Sequence, residues 1–576
     1  MKKTGAWLMR YALEQIGVKY TFGIPGVHNT ELYDELNRSD SITPILVTHE
    51  GGGAFMADAI SRTSDQIGCL VVVPAAGLTH AMSGIAEAFL DGVPMMVISG
   101  GIRTDGMKYQ LHDMDQHLMM SAITKKTYKI TEYHQIVPTV YEAYELAISG
   151  EPGPVYIELP VNIGLFKGEI DGTTPYHPTK TIAPVLANSQ IDAAAELLLA
   201  ANHPGIFAGW GAVESTEQLI RIAELLNAPV STTLQGLSAF PASHPLHTGM
   251  GFGIAAVPAA YNAFKHCDCL LAIGTRFAEI PTGSFGIEVP ENLIHIDINP
   301  KVFNANYPAK VSVEGDAKAV LTALLKALEG RTPIVKNAKL TNSIKQWKKE
   351  YRSEWMRHDS KNRVNPAKFF AELNYQLDES AYIIADDGNH TFLTAELMSI
   401  HQPRHYVSPT DFNCMGYATP AAIGTKLVHP DNQVVGIVGD GAFLMTCMEL
   451  LTASNLNIAP MIFVFNDGEL SQISQAQAIP YNRKTCTQLK GLNFKGVALA
   501  TGCEYLSMQT DADIEESVRR AIHLSAQKRP VIIDVNIDYS KKTRFTKGVV
   551  GTNLKRFEAK EKVRFIGRAI VRKVTG

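Results

Sequence analysis

Short apolar runs alternate with amphipathic stretches along most of the chain. The runs lack the polar alternation of a half-exposed strand, so they predict strands buried on both faces. Helices between such strands return the chain to start a parallel neighbour. We therefore expect an α/β fold of parallel sheets, with strands in the runs 69–77, 94–100, 153–160, 205–212, 228–234, 269–277, 292–300, 381–388, 433–441, 460–468 and 530–537.

The apolar runs fall into three blocks, separated by the segments 168–184 and 345–362. The chain has 576 residues, a length that suggests roughly three to five domains. We place three doubly wound parallel-sheet domains at about 1–170, 185–335 and 360–540, followed by a basic C-terminal tail at 541–576.

The end of the tail carries apolar positions at helical spacing on a basic background, in residues 561–574. One interpretation is a solvated tail, or a helix packed on the protein's own acidic surface. The other is an interfacial helix on an anionic membrane or a partner. The sequence leaves both open.

Composition and charge narrow the class of protein. The net charge of −4 argues against nucleic acid as the main partner. Seven cysteines without metal-binding spacing indicate reduced thiols, which favours a cytoplasmic protein. The amphipathic N-terminus predicts a first helix rather than a signal peptide. No apolar run approaches the roughly 20 residues that span a bilayer.

Acidic residues follow two neighbouring strands of the third block. Asp440 lies between two glycines after one run, and Asp467 follows the next run within Asn-Asp-Gly. Because parallel strands end at a common edge, we expect the two carboxylates to lie close together. Glycines and a helix beginning near Ala442 suit a phosphate, and Mg²⁺ bridges carboxylates to phosphates. An isolated Gly-Asp-Gly would more often be an ordinary turn, but the second motif favours a metal–diphosphate site.

This pair of motifs resembles the cofactor signature of thiamine diphosphate-dependent enzymes, which begins with GDG and ends in NN or ND. Asp467 stands where many members have Asn. The resemblance implies a homologous fold of pyrimidine-binding, central Rossmann-like and diphosphate-binding domains. It also implies that Mg²⁺ is bound by Asp440, Asp467 and the backbone carbonyl of Glu469, and that the cofactor is contacted by Gly439, Gly441 and Ala442.

A second half-site is expected in the first domain, where Glu50 precedes a Gly-rich helix start. In the family this glutamate hydrogen-bonds the aminopyrimidine ring and promotes proton removal from the thiazolium carbon. Taken alone, Glu50 would more often be a helix N-terminal charge, but the resemblance implies a catalytic, cofactor-binding residue. Met415 is expected to be the apolar wedge under the cofactor, although core packing would also explain it. Further cofactor contacts implied by the resemblance are Gly26, Val27, Gly388, Asn389 and His390.

Residues 109–126 resemble a loop of acetolactate synthases, also called acetohydroxyacid synthases. The likeness implies that Gln110 faces the reactive carbon and that His112 and Lys125 lie near the substrate channel. The first domain lacks the adjacent His-His pair of pyruvate decarboxylases, which disfavours simple decarboxylation to an aldehyde. The stretch after Asp467 departs from the Trp-containing segment that selects 2-ketobutyrate, so the substrate stays open.

The middle block resembles the central domain of the family, which binds FAD in some members. FAD is therefore an additional cofactor to test, with Gly211, Arg276 and Asp297 as contacts. Non-binding relatives keep the same fold, so the resemblance leaves flavin content open.

The resemblance implies a thiamine diphosphate- and Mg²⁺-dependent carboligase. A 2-oxo acid such as pyruvate would lose CO₂, and the remaining enamine would join a second carbonyl compound. The alternatives are a 2-oxo acid decarboxylase, an acyltransferase or a C–C lyase on the same scaffold, or a binding or regulatory homologue without turnover. Family sites pair Glu50 of one chain with Asp440 of its partner, so a homodimer or homotetramer is expected.

Overall fold

The computed structural model describes residues 1–179, 187–331 and 338–558, and beyond them residues 560, 561, 564, 567, 568, 570 and 571. Three six-stranded sheets, parallel throughout and flanked by helices, confirm the predicted α/β fold. Apolar strands such as Met95–Gly101 and Cys269–Ile273 are buried along their whole length, as strands covered on both faces must be.

The first sheet has the strand order β3-β2-β4-β5-β7-β6, and β1 pairs with β8 in a separate antiparallel ribbon. Its strands are β1 (Lys2–Thr4), β2 (Tyr20–Gly23), β3 (Thr43–Leu46), β4 (Gly68–Val72), β5 (Met95–Gly101), β6 (Thr127–Lys129), β7 (Pro154–Pro160) and β8 (Lys167–Glu169). Its helices are α1 (Gly5–Gln15), α2 (Thr30–Asn37), α3 (Glu50–Thr63), α4 (Ala76–Asp91), α5 (Gln116–Ser121), α6 (Ile136–Ile148) and α7 (Val161–Leu165).

The central sheet has the order β11-β10-β9-β12-β13-β14. Its strands are β9 (Pro204–Ala208), β10 (Val230–Thr232), β11 (His247–Met250), β12 (Cys269–Ile273), β13 (Asn292–Asp297) and β14 (Val311–Glu314). The accompanying helices are α8 (Asn188–Ala200), α9 (Thr216–Leu226), α10 (Pro258–Phe264) and α11 (Ala317–Leu328). The long helix α12 (Ala338–Met356) leads from this sheet towards the third and includes much of the predicted linker 345–362.

The third sheet has the order β16-β15-β17-β18-β20-β19. Its strands are β15 (Tyr382–Ala385), β16 (Tyr406–Val407), β17 (Val434–Gly439), β18 (Met461–Asn466), β19 (Glu504–Met508) and β20 (Val531–Asn536). Its helices are α13 (Pro366–Gln376), α14 (Asn389–Leu397), α15 (Ala418–Val428), α16 (Asp440–Thr446), α17 (Leu450–Asn455), α18 (Ser471–Tyr481), α19 (Phe494–Thr501), α20 (Ile514–Ala526) and α21 (Arg544–Arg556). Short 3₁₀ helices occupy Tyr133–Gln135, Trp210–Ser215, Gln235–Ala239, Pro300–Val302, Cys447–Glu449 and Asp511–Asp513.

The three sheets lie inside the predicted domains 1–170, 185–335 and 360–540, whose boundaries stay predictions. The tail at 541–576 begins with α21, and most of the segment 561–574 lies outside the described residues. No helix within the described parts of the chain combines the length and apolar character that crossing a membrane requires.

Helices α3 and α15 join the first and third sheets through one continuous apolar core. Glycine allows their close approach, because a methyl group at Gly424 would lie 2.5 Å from the carbonyl oxygen of Met56. The same interface buries Arg62 against three carboxylates, Asp58, Glu87 and Asp91. Two of them also hold the segment before Met415, since Glu87 accepts the N–H groups of residues 410 and 414 and Asp91 that of residue 411.

Candidate active site

A cavity of about 130 Å³ opens where β15, β17 and β18 end side by side. The segments that follow these strands converge because the strands are parallel neighbours. The cavity brings together many of the predicted residues, namely Gly388, Asn389, His390, Met415, Gly439, Asp440, Gly441, Ala442 and Glu469. It is completed by residues that the sequence did not single out, namely Asp387, Phe465, Leu470, Ser471, Gln472, Ile473 and Tyr539.

Asp440 holds the two loops of the cavity together. Its Oδ1 accepts the N–H of Gly441 at 2.7 Å, and its Oδ2 accepts the N–H of Gly468, in the turn after β18, at 2.8 Å. Burial, and after it the charge of Asp467, raises the pKa of Asp440 to about 6. Burial also raises the pKa of Asp467. Two crowded carboxylates in a poorly solvated site favour a bound cation, which would offset their repulsion.

Three buried polar atoms of the predicted site have no hydrogen-bond partner among the described residues. They are Oδ1 of Asp467, Nδ2 of Asn389 and Nε2 of His390. A buried polar group without a partner costs about 1–3 kcal/mol, so such atoms call for a ligand or water. Burial lowers the pKa of His390 to about 3, which keeps its ring neutral. A free carboxylate oxygen suits Mg²⁺ and an amide donor suits a phosphate oxygen, so the residues fit a metal-bound diphosphate.

The side chain of Glu469 is hydrogen-bonded within its own segment of the chain. Its carboxylate accepts hydrogen bonds from Lys484 Nζ, at 2.6 Å to Oε1, and from the Ser474 hydroxyl at 2.7 Å. Both carboxylate oxygens of Glu469 therefore already accept hydrogen bonds from the protein. This leaves the backbone carbonyl as the group of Glu469 that a metal could use, which agrees with the role predicted for it.

Asp386 is a positioning residue that the sequence reading missed. It is completely buried, and its carboxylate accepts the N–H groups of Asp387 at 2.9 Å, Gly416 at 2.9 Å and Ala418 at 2.7 Å. Burial raises the pKa of Asp386 to about 7. These bonds fix the loop that places Met415 in the cavity wall. The signal was present in the sequence, because Asp386 directly follows β15 at the same sheet edge as Asp440.

Glu50 begins α3 in the first domain and is buried. His80 of α4 lies beside it, with Nδ1 at 3.1 Å from Oε2. Glu449 of the third domain accepts the N–H groups of Thr48 at 3.2 Å and His49 at 2.9 Å, and so fixes the turn before Glu50. Neither His80 nor Glu449 was predicted from the sequence, because each contact joins distant segments.

The loop after β2 carries the two predicted residues Gly26 and Val27. The N–H of Gly26 donates to Oδ1 of Asn29 at 2.7 Å, which closes a tight turn. Val27 projects from this turn and is 78% exposed. An exposed apolar side chain on a fixed turn suits contact with another surface.

Three residues predicted near the substrate behave differently from one another. Gln110 folds back on its own loop, where Nε2 donates to the carbonyl of Arg103 at 2.9 Å. His112 packs edge-on against His28, with ring centroids 5.1 Å apart. The ammonium of Lys125 donates to three carbonyls at the end of α6, those of Leu146, Ser149 and Glu151. These bonds cap the helix, and the expected position of Lys125 near a substrate channel stays a prediction.

A larger cavity of about 370 Å³ lies where the three domains meet. Gly211, Arg276 and Asp297, the predicted FAD contacts, all line it. Arg276 spans the junction, with Nη1 at 3.2 Å from Glu151 Oε1 and with Nη2 bonded to Asp411 at 2.5 Å. Burial raises the pKa of Asp297 to about 6. The volume falls within the roughly 300–1,000 Å³ of small-molecule sites.

Comparisons with known proteins agree with this geometry. Three family models match: the N-terminal TPP binding domain of thiamine pyrophosphate enzymes at residues 3–121, their central domain at 191–324 and their C-terminal TPP binding domain at 386–535. The acetolactate synthase large subunit of Haemophilus influenzae is 31% identical over 94% of this chain and 96% of its own length. The probable acetolactate synthase large subunit of Methanocaldococcus jannaschii is 33% identical over 93% and 92%. The acetolactate synthase isozyme 3 large subunit of Escherichia coli is 29% identical over 93% and 95%.

The matches cover all three sheets and both halves of the site. The family models, the relatives and the fold all indicate a thiamine pyrophosphate enzyme, and none of the three depends on a single motif. This chain is an enzyme and belongs to the thiamine pyrophosphate enzyme family, with similarity to acetolactate synthase large subunits along most of its length.

Proposed function

We propose that this enzyme is a thiamine diphosphate- and Mg²⁺-dependent carboligase that decarboxylates a 2-oxo acid such as pyruvate and joins the remaining fragment to a second carbonyl compound. The observation that carries the proposal is the third-sheet cavity, which is lined by Asp440 and Asn389. The charge of Asp467 helps to raise the pKa of Asp440, and Nδ2 of Asn389 has no hydrogen-bond partner among the described residues. The names of the relatives support the choice of reaction.

In this proposal the chain's own groups do the holding and the proton transfer. Asp440, Asp467 and the carbonyl of Glu469 bind Mg²⁺, and Met415 supports the cofactor from the cavity wall. Thiamine diphosphate, when bound, supplies the carbon nucleophile and the electron sink. Glu50 exchanges a proton with the cofactor's pyrimidine ring, as its buried position beside a proton donor allows.

The complete site is proposed to form between two copies of the chain. The described residues that line the third-sheet cavity all lie between 387 and 539, which supports supply of the Glu50 half by another chain. Apolar side chains are exposed beside both halves, including Val27 in the first domain and Met445 and Met448, just after Asp440, in the third. In the proposed dimer a second copy would cover these side chains.

The first test is pyruvate consumption by the purified protein, with thiamine diphosphate and Mg²⁺ added or withheld. The proposal expects consumption that depends on both, and acetolactate detected as acetoin after acid treatment. Acetaldehyde as the main product would replace carboligation with decarboxylation. Acyl transfer or C–C cleavage would appear with other donors and acceptors, and cofactor binding without turnover of any of them would favour a silent homologue.

FAD in the junction cavity is a second part of the proposal. It is supported by the size of the cavity and by its lining, which includes Gly211, Arg276 and Asp297. The test is the absorbance of the purified protein near the flavin band, followed by release of the chromophore on denaturation. Protein that stays colourless after incubation with FAD and gel filtration would contradict this part alone.

A further inference from the structure

A hydrogen-bonded pair, Glu50 and His80, joins α3 and α4 at the N-terminal half-site. Nδ1 of His80 lies 3.1 Å from Oε2 of Glu50, and the His80 ring stacks on His49 with centroids 4.8 Å apart. The side chain of Glu50 is 7% exposed, whereas that of His80 is 55% exposed. In a single chain the pair therefore connects a buried carboxyl group with solvent.

We propose that His80 positions Glu50 and relays protons between its carboxyl group and solvent. The inference rests on the function proposed above, in which Glu50 exchanges a proton with the cofactor. An ionised carboxylate can only accept hydrogen bonds, so Nδ1 of His80 carries the proton of this contact. That tautomer leaves Nε2 as an acceptor on a ring that is exposed in a single chain.

The relay needs no movement of either side chain. A proton from solvent binds Nε2, and the proton on Nδ1 passes to Oε2 of Glu50. The imidazole ends as the neutral Nε2–H tautomer, and Glu50 ends as a neutral carboxylic acid. One proton has entered, the Nδ1–H bond has broken, and an Nε2–H bond and an O–H bond have formed, so charge and atoms balance. Glu50 regains its proton while it stays packed in place.

Packing around the pair holds the carboxyl group for this exchange. Gly77 leaves room for Oε1, because a methyl group there would lie 2.9 Å from that oxygen. The other titratable groups near the pair are His49, which stacks on His80, Glu449, which holds the N–H of His49, and Tyr33. Burial raises the pKa of Glu449, and burial followed by the charges of Cys69 and Glu50 raises the pKa of Tyr33, which stays a neutral phenol.

Two variants separate positioning from relay. His80→Asn keeps an N–H donor for Oε2 but cannot pass a proton through its side chain. His80→Ala removes both functions and opens a path for small buffer molecules. The matched control is His134→Asn, because Nδ1 of His134 also lies 3.1 Å from a glutamate Oε2, that of Glu132, at an exposed position.

The experiment measures the exchange of the thiazolium C2 proton of bound thiamine diphosphate for deuterium, by acid quench and NMR, across pH. Both His80 variants should slow the exchange at least about tenfold, less than the roughly hundredfold of a group that transfers a proton directly, because His80 acts through Glu50. Added imidazole should restore the rate of His80→Ala, and the pH profile should flatten in both variants. His134→Asn should exchange like the wild type.

A second readout uses the apoprotein. The ¹⁵N shifts of the His80 ring should report the Nδ1–H tautomer in the wild type and lose that preference in Glu50→Gln. If the wild-type holoenzyme does not exchange, the proposed function is refuted. If the wild type exchanges and both His80 variants match it, the relay alone is overturned. The relay is also overturned if His80→Asn exchanges the C2 proton at the wild-type rate while His80→Ala exchanges it slowly.

Discussion

Replacing Arg62 with Met removes the guanidinium that three buried carboxylates share. Its Nε lies 2.6 Å from Asp58, and its Nη2 lies 3.0 Å from Asp91 and 3.7 Å from Glu87. All four side chains are at most 1% exposed. Met fills similar space without charge, so the variant tests electrostatics rather than a cavity.

The expected loss is large because the carboxylates cannot reach water. Removing one partner of a buried ion pair costs about 3–5 kcal/mol. Burial already raises the pKa of Asp58 and, with the charge of Asp91, raises that of Glu87 well above its usual range, even with Arg62 present. We expect Arg62→Met to lose at least about 3 kcal/mol of unfolding free energy at pH 8.

The same loss should shrink in acid. A carboxyl group whose pKa is raised in the folded state binds protons that the unfolded chain has released, so stability falls as pH rises through that range. Without Arg62, protons replace the lost cation at low pH, and the variant should recover part of its stability at pH 5.5.

The assay is urea unfolding at pH 8 and pH 5.5, compared with Arg38→Met. Arg38 pairs with Asp34 on the surface, where both side chains are more than half exposed, and its loss should cost less than about 1 kcal/mol. If Arg62→Met costs no more than this control at pH 8, or costs the same at both pH values, the guanidinium does not neutralise the buried carboxylates and the reasoning fails.

Further variants address the site, the association surface and the last helix. Asp440→Asn should abolish thermal stabilisation by thiamine diphosphate and Mg²⁺, whereas Glu50→Gln should keep that stabilisation and lose turnover. The reverse pattern would contradict metal binding by Asp440 and proton transfer by Glu50. Met445→Glu with Met448→Glu should yield inactive monomers by light scattering, and active monomers would contradict the shared site. Burial raises the pKa of Glu396 to about 7, so ionisation of Glu396 destabilises the wild type as the pH rises from 6 to 8. The unfolding free energy of Glu396→Gln should fall less over that range. An equal fall in both proteins would contradict the raised pKa of Glu396.

The sequence predicted most inner strands of the sheets, but it missed the inner strand β2 and most of the edge strands. The apolar runs correspond to strands such as β4, β5, β12, β17 and β18, which have a neighbour on each side. The strands β6, β11, β14, β16 and β19 were not predicted, and every one of them is an edge strand. An edge strand pairs on one side only and is short, as the two-residue β16 shows, so it needs no long apolar run.

The same physical limit applies to the site. Asp440 and Asp467 could be paired from the sequence because adjacent parallel strands must end together. His80 and Glu449 could not, because their contacts depend on how α3 meets α4 and the third domain. The motif likewise gives Lys125 its place in the chain but not the partners of its ammonium, which are three backbone carbonyls.

The glycines after Glu50 show how packing, rather than loop flexibility, fixes this half-site. Three successive glycines follow Glu50 and lie inside α3, as the predicted Gly-rich helix start implies, although Gly costs about 1 kcal/mol relative to Ala there. A methyl group at Gly51 would lie 3.1 Å from the carbonyl oxygen of His80, and one at Gly52 only 2.4 Å from Oε1 of Glu449. The helix therefore approaches α4 on one face and Glu449 of the third domain on another, at distances where a larger residue would require its neighbours to shift. Glu50 starts that helix, so these approaches set where its carboxyl group lies.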